Sequence, residues 1–412
     1  MLQIRPVDVE KVLKERKLFS TSVENIVSKI ISDVQKRRDG ALRYWTKKFD
    51  GVDIDNFQIS EQEITSSVSK ISKSDRQLIK QAIKRITSYH KKQRIKQFVI
   101  KEKEIKISFR VKPVNRVGLY IPGGTAPLVS TVLMTGLPAK IAGVKEIIAC
   151  SPPSCNGSIH PYIIAALDFI GVNKIFKVGG AQAIAAMAYG TETIPKVNVI
   201  AGPGNIYVNA AKKILAGIIG IDLLAGPSEL VVLIDSSANP DFVIADLNAQ
   251  EEHKQSMIFL ISEDSAIARK ISNNVKAGYW IKIDTMESAI DIVNTIAPEH
   301  LQIVCKNANA IAEKVIAGAI FIGSYTPCAI GDYIAGPSHT LPTGGSAIFD
   351  SGLNVFDFMR SYAVIEAQSQ FFKKHGIIIE RLAEIENLLN HKMSVEIRRK
   401  KLKKTSILER EK

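Results

Sequence analysis

The feature that most constrains the fold begins near Val111, where short apolar runs alternate with helix-like segments. Gly118 to Ile121, Glu146 to Cys150, Lys174 to Val178 and Val197 to Ala201 read as strands. Gly, Pro or Ser follows each run, and then in most cases a small-residue helix such as Ala181 to Ala188. The rhythm resumes with a strand at Leu230 to Asp235, a helix over Asp241 to Glu252, and a strand at Ser256 to Ile261. A helix over Ala266 to Val275 and strands at Gln302 to Cys305 and Ala319 to Ile322 complete it. Strand–helix–strand alternation predicts α/β architecture with at least two parallel-sheet units.

The flanks differ. Residues 20 to 110 read as mainly helical, with Val23, Ile26, Val27, Ile30, Ile31 and Val34 on one helix face and Thr21 with Glu24 as a capping box. Phe49-Asp50-Gly51 supplies a turn, and a second helix is expected from about Asp75 to Ile95. A glycine-rich stretch from Gly331 to Gly352 interrupts the rhythm, and beyond Val355 the chain reads as helical and polar.

Composition narrows the class. Hydrophobic residues make up 46% and charged residues 23% of 412 positions, a globular balance that excludes fibrous or largely disordered chains. Met1 to Lys17 carries charges throughout and does not read as a secretory signal, and no apolar run is long enough to span a bilayer. The four cysteines form no CxxC pair, which suits a reducing, cytoplasmic setting, and Cys150 and Cys305 read as buried core residues. The net charge of +14 is spread along helix-like segments, apart from a run at residues 398–404 that reads as a solvated tail.

Three glycine-rich turns after strands are candidates for holding phosphates: Ile121-Pro122-Gly123-Gly124, Val178-Gly179-Gly180-Ala181-Gln182 and Gly202-Pro203-Gly204-Asn205. None is a full GxGxxG, so tight turns between packed elements remain the alternative for each. The seven histidines are few enough for their settings to matter. Gln250 and His253 share a helix face by spacing, Asp332 and His339 lie in the loop-rich stretch, and His391 follows Glu386. Such oxygen and imidazole donors suit Zn²⁺, with polar loops and helix ends as the other reading. Glu299-His300 before a strand offers two proton-transfer groups, or a helix cap with an exposed His. His90 and His375, among lysines, read as surface residues, and His160 as a local helix start.

Taken in order along nearly the whole chain, these motifs resemble histidinol dehydrogenase. The series includes Val117 to Gly124, Gly179 to Ala186, Gly202 to Asn205, Ala225 to Glu229, Asp246 to His253 and Ala297 to Leu301. It closes with Gly331 to Tyr333, His339 to Gly345, and His391-Lys392. The resemblance implies two incomplete Rossmann-like domains with small helical terminal domains, in a homodimer. The divisions expected are an arm at 1–19, a first domain from 20–119 with 230–353, a second, NAD-contacting domain at 120–229, and a C-terminal domain at 354–412 reaching the partner subunit. It implies one Zn²⁺ per subunit on Gln250, His253 and Asp332, completed by His391 of the other subunit. Substrate contacts carry over to Ser228, His339 and Glu386 as well as to the zinc ligands, Glu299 and His300, and NAD contacts to Tyr120, Gln182 and Asn205. The activity implied is oxidation of L-histidinol through its aldehyde to L-histidine with two NAD⁺ consumed, His300 acting as base and Glu299 activating water. Pro337-Ser338 before His339 and the basic extension after Val395 depart from the family pattern.

Two other classes compete. A zinc hydrolase using Glu299 has no use for three glycine turns after strands. A nucleic-acid-binding protein calls for aromatics among its basic residues, and residues 398–404 contain none.

Overall fold

The computed structural model describes residues 1–14, 16, 20–123, 126–153, 157–253 and 256–408, with side chains to 402. Lys17, Gly124 and Cys155, and the side chains of Lys403 and Lys404, lie outside the described residues. The chain forms two compact units, one of Met1–Arg94 with Pro113–Phe358 and one of Ile95–Lys112 with the chain from Met359 onward.

The first unit opens with β1 (Leu2–Ile4) and the helices α1 (Val9–Leu13), α2 (Thr21–Arg37), α3 (Asp39–Asp50), α4 (Glu61–Ser69) and α5 (Lys73–His90). The α2 cap is Ser20, whose hydroxyl accepts from the Val23 N–H, rather than the expected box of Thr21 and Glu24. Glu24 instead pairs with Lys213 at 2.7 Å. Gly51 ends α3 in the left-handed region at φ 70°, as the expected turn requires.

A five-stranded parallel sheet follows from β4 (Arg116–Tyr120), β5 (Glu146–Ser151), β6 (Lys174–Lys177), β7 (Val199–Ala201) and β8 (Gly220–Ile221). Its helices are α6 (Val129–Ala142), α7 (Pro161–Phe169), α8 (Gly180–Tyr189) and α9 (Ile206–Leu215). The strand order β6-β5-β4-β7-β8 puts a switch point between β4 and β7, where successive crossovers diverge to opposite sides. Helices α2 and α3 pack on α8 of this block, and α2 also on α9. Val27, Ile30, Ile31 and Val34 therefore share one core with Tyr120, Ile184 and Val208. Four of these strands fall within residues 120–229, and β4 begins before them, at Arg116.

The second sheet has six parallel strands: β1 with β9 (Glu229–Ile234), β10 (Met257–Ser262), β11 (Tyr279–Lys282), β12 (His300–Val304) and β13 (Ala319–Ile322). Their order is β1-β11-β10-β9-β12-β13. Helices α10 (Pro240–Gln250), α11 (Ser265–Ser272), α12 (Met286–Ile296) and α13 (Ala308–Ala312) link them, and α14 (Cys328–Tyr333) follows. Both faces of β9 and β10 are covered, so Leu230 to Ile234 and Ile258 to Ile261 are wholly buried.

The second unit holds β2 (Phe98–Lys101), β3 (Ile105–Pro113) and β14 (Met359–Ala367) in the order β14-β3-β2, with β2 and β3 antiparallel. Two helices complete it, α15 (Ser369–Ile385) and α16 (Leu389–Leu408), which pack on each other. The stretch beyond Val355, expected to be helical, therefore opens with a turn and a nine-residue strand. Exposed and half-buried residues alternate only weakly along that strand, which kept it out of the sequence reading.

Phe57 ties the N-terminal helices to the five-stranded sheet. Its ring is 1% exposed, and its carbonyl accepts from the Lys177 N–H at 2.7 Å. Phe57→Ala is expected to cost about 3–5 kcal/mol, seen as a clear fall in the thermal unfolding midpoint. An unchanged midpoint would show that this packing does not hold the layer.

Candidate active site

The site forms where the amino ends of β9 and β12 lie side by side, with His300 in register with Leu230. Helix α12 stops at Ala297, which adopts a left-handed φ of 42°, and Pro298 prevents its continuation. The turn delivers Glu299 and His300 at the mouth of β12, 8% and 5% exposed.

Three side chains form a directed chain there. The Gln250 amide Nε2 donates to the Ser228 hydroxyl at 2.8 Å, and that hydroxyl donates to Glu299 Oε2 at 2.5 Å. The Glu229 N–H donates to the same oxygen at 3.0 Å. With its Nε2 engaged, the Gln250 amide keeps its oxygen for another ligand. His300 Nδ1 stands 3.4 Å from Glu299 Oε2, close enough to pair but not aligned as a hydrogen bond, and His300 Nε2 stands 3.9 Å from Asp332 Oδ1.

Electrostatics follow from this crowding. Burial alone would push Glu299 up, but His300 and the Ser228 and Glu229 donors hold it below the usual carboxylate range. Burial opposes charge on His300 too, yet Glu299 and Asp332 raise it above the usual imidazole value. Neighbouring Glu229 moves the other way, pushed up to about 7 by burial despite its pairing with Arg16 at 2.9 Å.

Asp332, expected in a loop, lies in the short helix α14. His339 Nδ1 donates to the Asp332 carbonyl at 3.1 Å, and its Nε2 accepts from the Thr131 hydroxyl at 3.4 Å. Burial lowers its pKa, in keeping with a neutral ring held between a donor and an acceptor. His300, Asp332 and His339 line one cavity of about 560 Å³, whose apolar wall includes Phe321, Leu341, Leu353 and Phe356.

The remaining expected residues fall into three groups. Gln250 ends α10, so His253 lies on the following turn, where it is exposed and its N–H donates to the Gln250 carbonyl. The helical face expected for this pair is therefore absent. Glu386 and His391 belong to the second unit, Glu386 at the end of α15 and His391 in α16, both exposed. Among the described residues no group of three or more His, Cys, Asp and Glu side chains stands close enough to hold a metal ion.

Tyr120, Gln182 and Asn205 sit at the carboxyl edge of the five-stranded sheet. The buried Tyr120 hydroxyl accepts from the Gly180 N–H at 3.0 Å. Gln182 is 1% exposed, and its Oε1 has no partner among the described residues. Asn205 caps α9, accepting from the Tyr207 and Val208 N–H groups. The glycines here have no room for a side chain. A Cβ on Gly123 or Gly179 would stand 2.3 Å from Pro152, and one on Gly202 2.1 Å from the Tyr120 carbonyl oxygen.

Other assignments change with the structure. His90, expected at the surface, is fully buried, with Nδ1 2.7 Å from Gln93 Oε1. His375 is half-buried against Phe371. His160 caps α7, accepting from the Tyr162 N–H, a local role as expected. Cys150 is buried and Cys305 half-buried, and with Cys328 both are free thiols. Sequence reasoning missed Arg16, Thr131 and Gln302, whose amide donates to Asp246 at 2.7 Å. No spacing signal marks Arg16 or Thr131, but Gln302 sits two residues beyond His300 and shares its strand face.

The sequence model of the histidinol dehydrogenase family matches residues 13–399. The histidinol dehydrogenase of Bacillus cereus is 40% identical over 94% of this chain and 95% of its own length. That of Methanocaldococcus jannaschii is 40% identical over 95% and 96%. The crystal structure of the Elizabethkingia anophelis histidinol dehydrogenase superposes with a TM-score of 0.91 at 35% identity, covering 98% of each chain. Among the described residues no helix is long and apolar enough to cross a membrane. With His300, Asp332 and His339 on one cavity and Glu299 beside His300, and with family resemblance along almost its whole length, the chain belongs to the histidinol dehydrogenase family, oxidoreductases of histidine biosynthesis.

Proposed function

We propose that this oxidoreductase converts L-histidinol through L-histidinaldehyde to L-histidine in the cytoplasm, using Zn²⁺ and two molecules of NAD⁺, as a homodimer with shared sites. The observation that carries the reading is the buried Glu299–His300 pair, its carboxylate held ionised and its imidazole raised, with His300 on the cavity wall. A hydrolase has no use for the side-chain-free turns at the edge of the five-stranded sheet.

Both cofactors fit by donor chemistry. The Gln250 amide oxygen, the Asp332 carboxylate, and the His253 and His391 imidazoles are a set that suits Zn²⁺, with His391 supplied by a second copy of the chain. Zinc would orient the substrate's nitrogens and hydroxyl. For NAD⁺, the turns lie at the carboxyl ends of parallel strands, and buried Gln182 Oε1 has no partner among the described residues. Tyr120, Gln182 and Asn205 would hold it, and its nicotinamide would accept hydride.

The chain's own residues then position substrate and move protons. His300 takes the hydroxyl proton in the first oxidation, and the Glu299 carboxylate stabilises the imidazolium that results. Glu299 takes a proton from water as the water oxygen adds to the aldehyde carbonyl, and the His300 imidazolium returns its proton to the carbonyl oxygen, giving the hydrate and a neutral His300, while Ser228 and the Glu229 N–H keep the carboxylate in place. His300 deprotonates the hydrate for the second oxidation. Ser228, His339 and Glu386 contact the substrate, His339 as a neutral ring whose pKa burial lowers.

The purified protein with L-histidinol is expected to form two NADH per substrate consumed and to lose this activity to a chelator. No NADH with zinc present would overturn the reading. His300→Asn is expected to keep zinc and NAD⁺ binding while losing about 10²–10⁴-fold in turnover, and loss of zinc from this variant would refute the base assignment. His391→Asn is expected to lower zinc content and activity together, and unchanged zinc would argue against the shared site.

A further inference from the structure

A buried ion pair behind the cofactor turn is used by none of the chemistry above. Lys212, on α9, and Asp222, just after β8, pair with no exposure of either side chain. The Lys212 ammonium also donates to the carbonyls of Gly202 at 2.8 Å and Leu223 at 3.2 Å, so its three N–H groups meet three acceptors. The other Asp222 oxygen accepts from the Gly202 N–H at 2.7 Å. Both backbone groups of one glycine thus end on the same pair.

That glycine is the one that matters. Gly202 directly follows β7 at the switch point, with φ 128° and its Cα against the Tyr120 carbonyl. One turn of helix earlier than Lys212, Asn209 is 3% exposed and grips both loops. Its Nδ2 donates to the Gly204 and Asn205 carbonyls, and its Oδ1 accepts from the Ala225 N–H. The second of these loops, Asp222 to Gly226, runs directly into Ser228, whose hydroxyl holds Glu299. Packing alone would be served by an apolar residue at 212, without the desolvation that a buried pair costs.

We infer that Lys212 and Asp222 are positioning residues that set the Gly202–Asn205 turn for NAD⁺ and couple it to the loop carrying Ser228. The inference rests on the cofactor reading above. The test compares the wild type with Lys212→Met/Asp222→Asn, which removes both charges and leaves none buried unpaired. NAD⁺ affinity is measured by fluorescence titration, and steady-state constants are measured for each substrate. The double variant is expected to fold, to bind NAD⁺ about tenfold more weakly, and to raise the KM for NAD⁺ far more than that for L-histidinol. Unchanged NAD⁺ affinity, or equal rises in both KM values, overturns the positioning role. Hydrogen exchange on the wild type is a second test that needs no variant. Added NAD⁺ is expected to slow residues 202–205 and 222–226 together, and slowing of the first segment alone overturns the coupling. A wild type that does not bind NAD⁺ removes the cofactor reading itself, and the inference with it.

Discussion

The site depends on keeping one buried carboxylate charged. Glu299 is largely buried, and an unpaired carboxylate in such a place would take up a proton. The Ser228 hydroxyl, the Glu229 N–H and the His300 ring prevent this, and each is supplied by the amino end of β9 or β12. The backbone of Glu299 is equally committed, since its carbonyl accepts from the Ala319 N–H and a Cβ on Gly318 would stand 2.7 Å from it. Moving either strand by a fraction of an ångström would cost the carboxylate its donors.

The two parallel sheets of the first unit serve opposite edges. In the five-stranded sheet two of the glycine turns follow the carboxyl ends of β4 and β7 at the switch point, as open α/β sheets commonly place ligands, and the third follows the edge strand β6. In the six-stranded sheet the reactive side chains gather at the amino ends of the neighbouring strands β9 and β12 instead. The segment between β8 and β9 joins these edges, leaving Asp222 behind one turn and delivering Ser228 to the other site.

Much of this was legible in the residues. Continuous apolar runs marked the buried strands from β4 to β7 and β9, β10, β12 and β13, because strands covered on both faces have no polar side. β1 and β11 were not read, being only three and four residues long and lacking a clear apolar run. The candidate site residues were chosen through ordered family motifs, since spacing alone left each open to a plainer reading. His90 misled because Lys91 and Lys92 follow it, although it continues the buried helix face begun at Ile86. Lys212 had a visible signal that went unread, a lysine on the α9 face that buries Val208, Ala211 and Leu215.

The edge strand β1 bears on how such a chain reaches its native state. Leu2 to Ile4 pair with Tyr279 to Ile281, so β1 finds its hydrogen-bond partners only after synthesis has run on through β11. At ribosomal speeds of about 5–20 residues per second, that delay is on the order of half a minute. The five-stranded sheet, by contrast, has all its strands between Arg116 and Ile221 and can close while β1 still waits. Assembly of the reactive edge, which needs β12 as well, is thereby a late event of biogenesis.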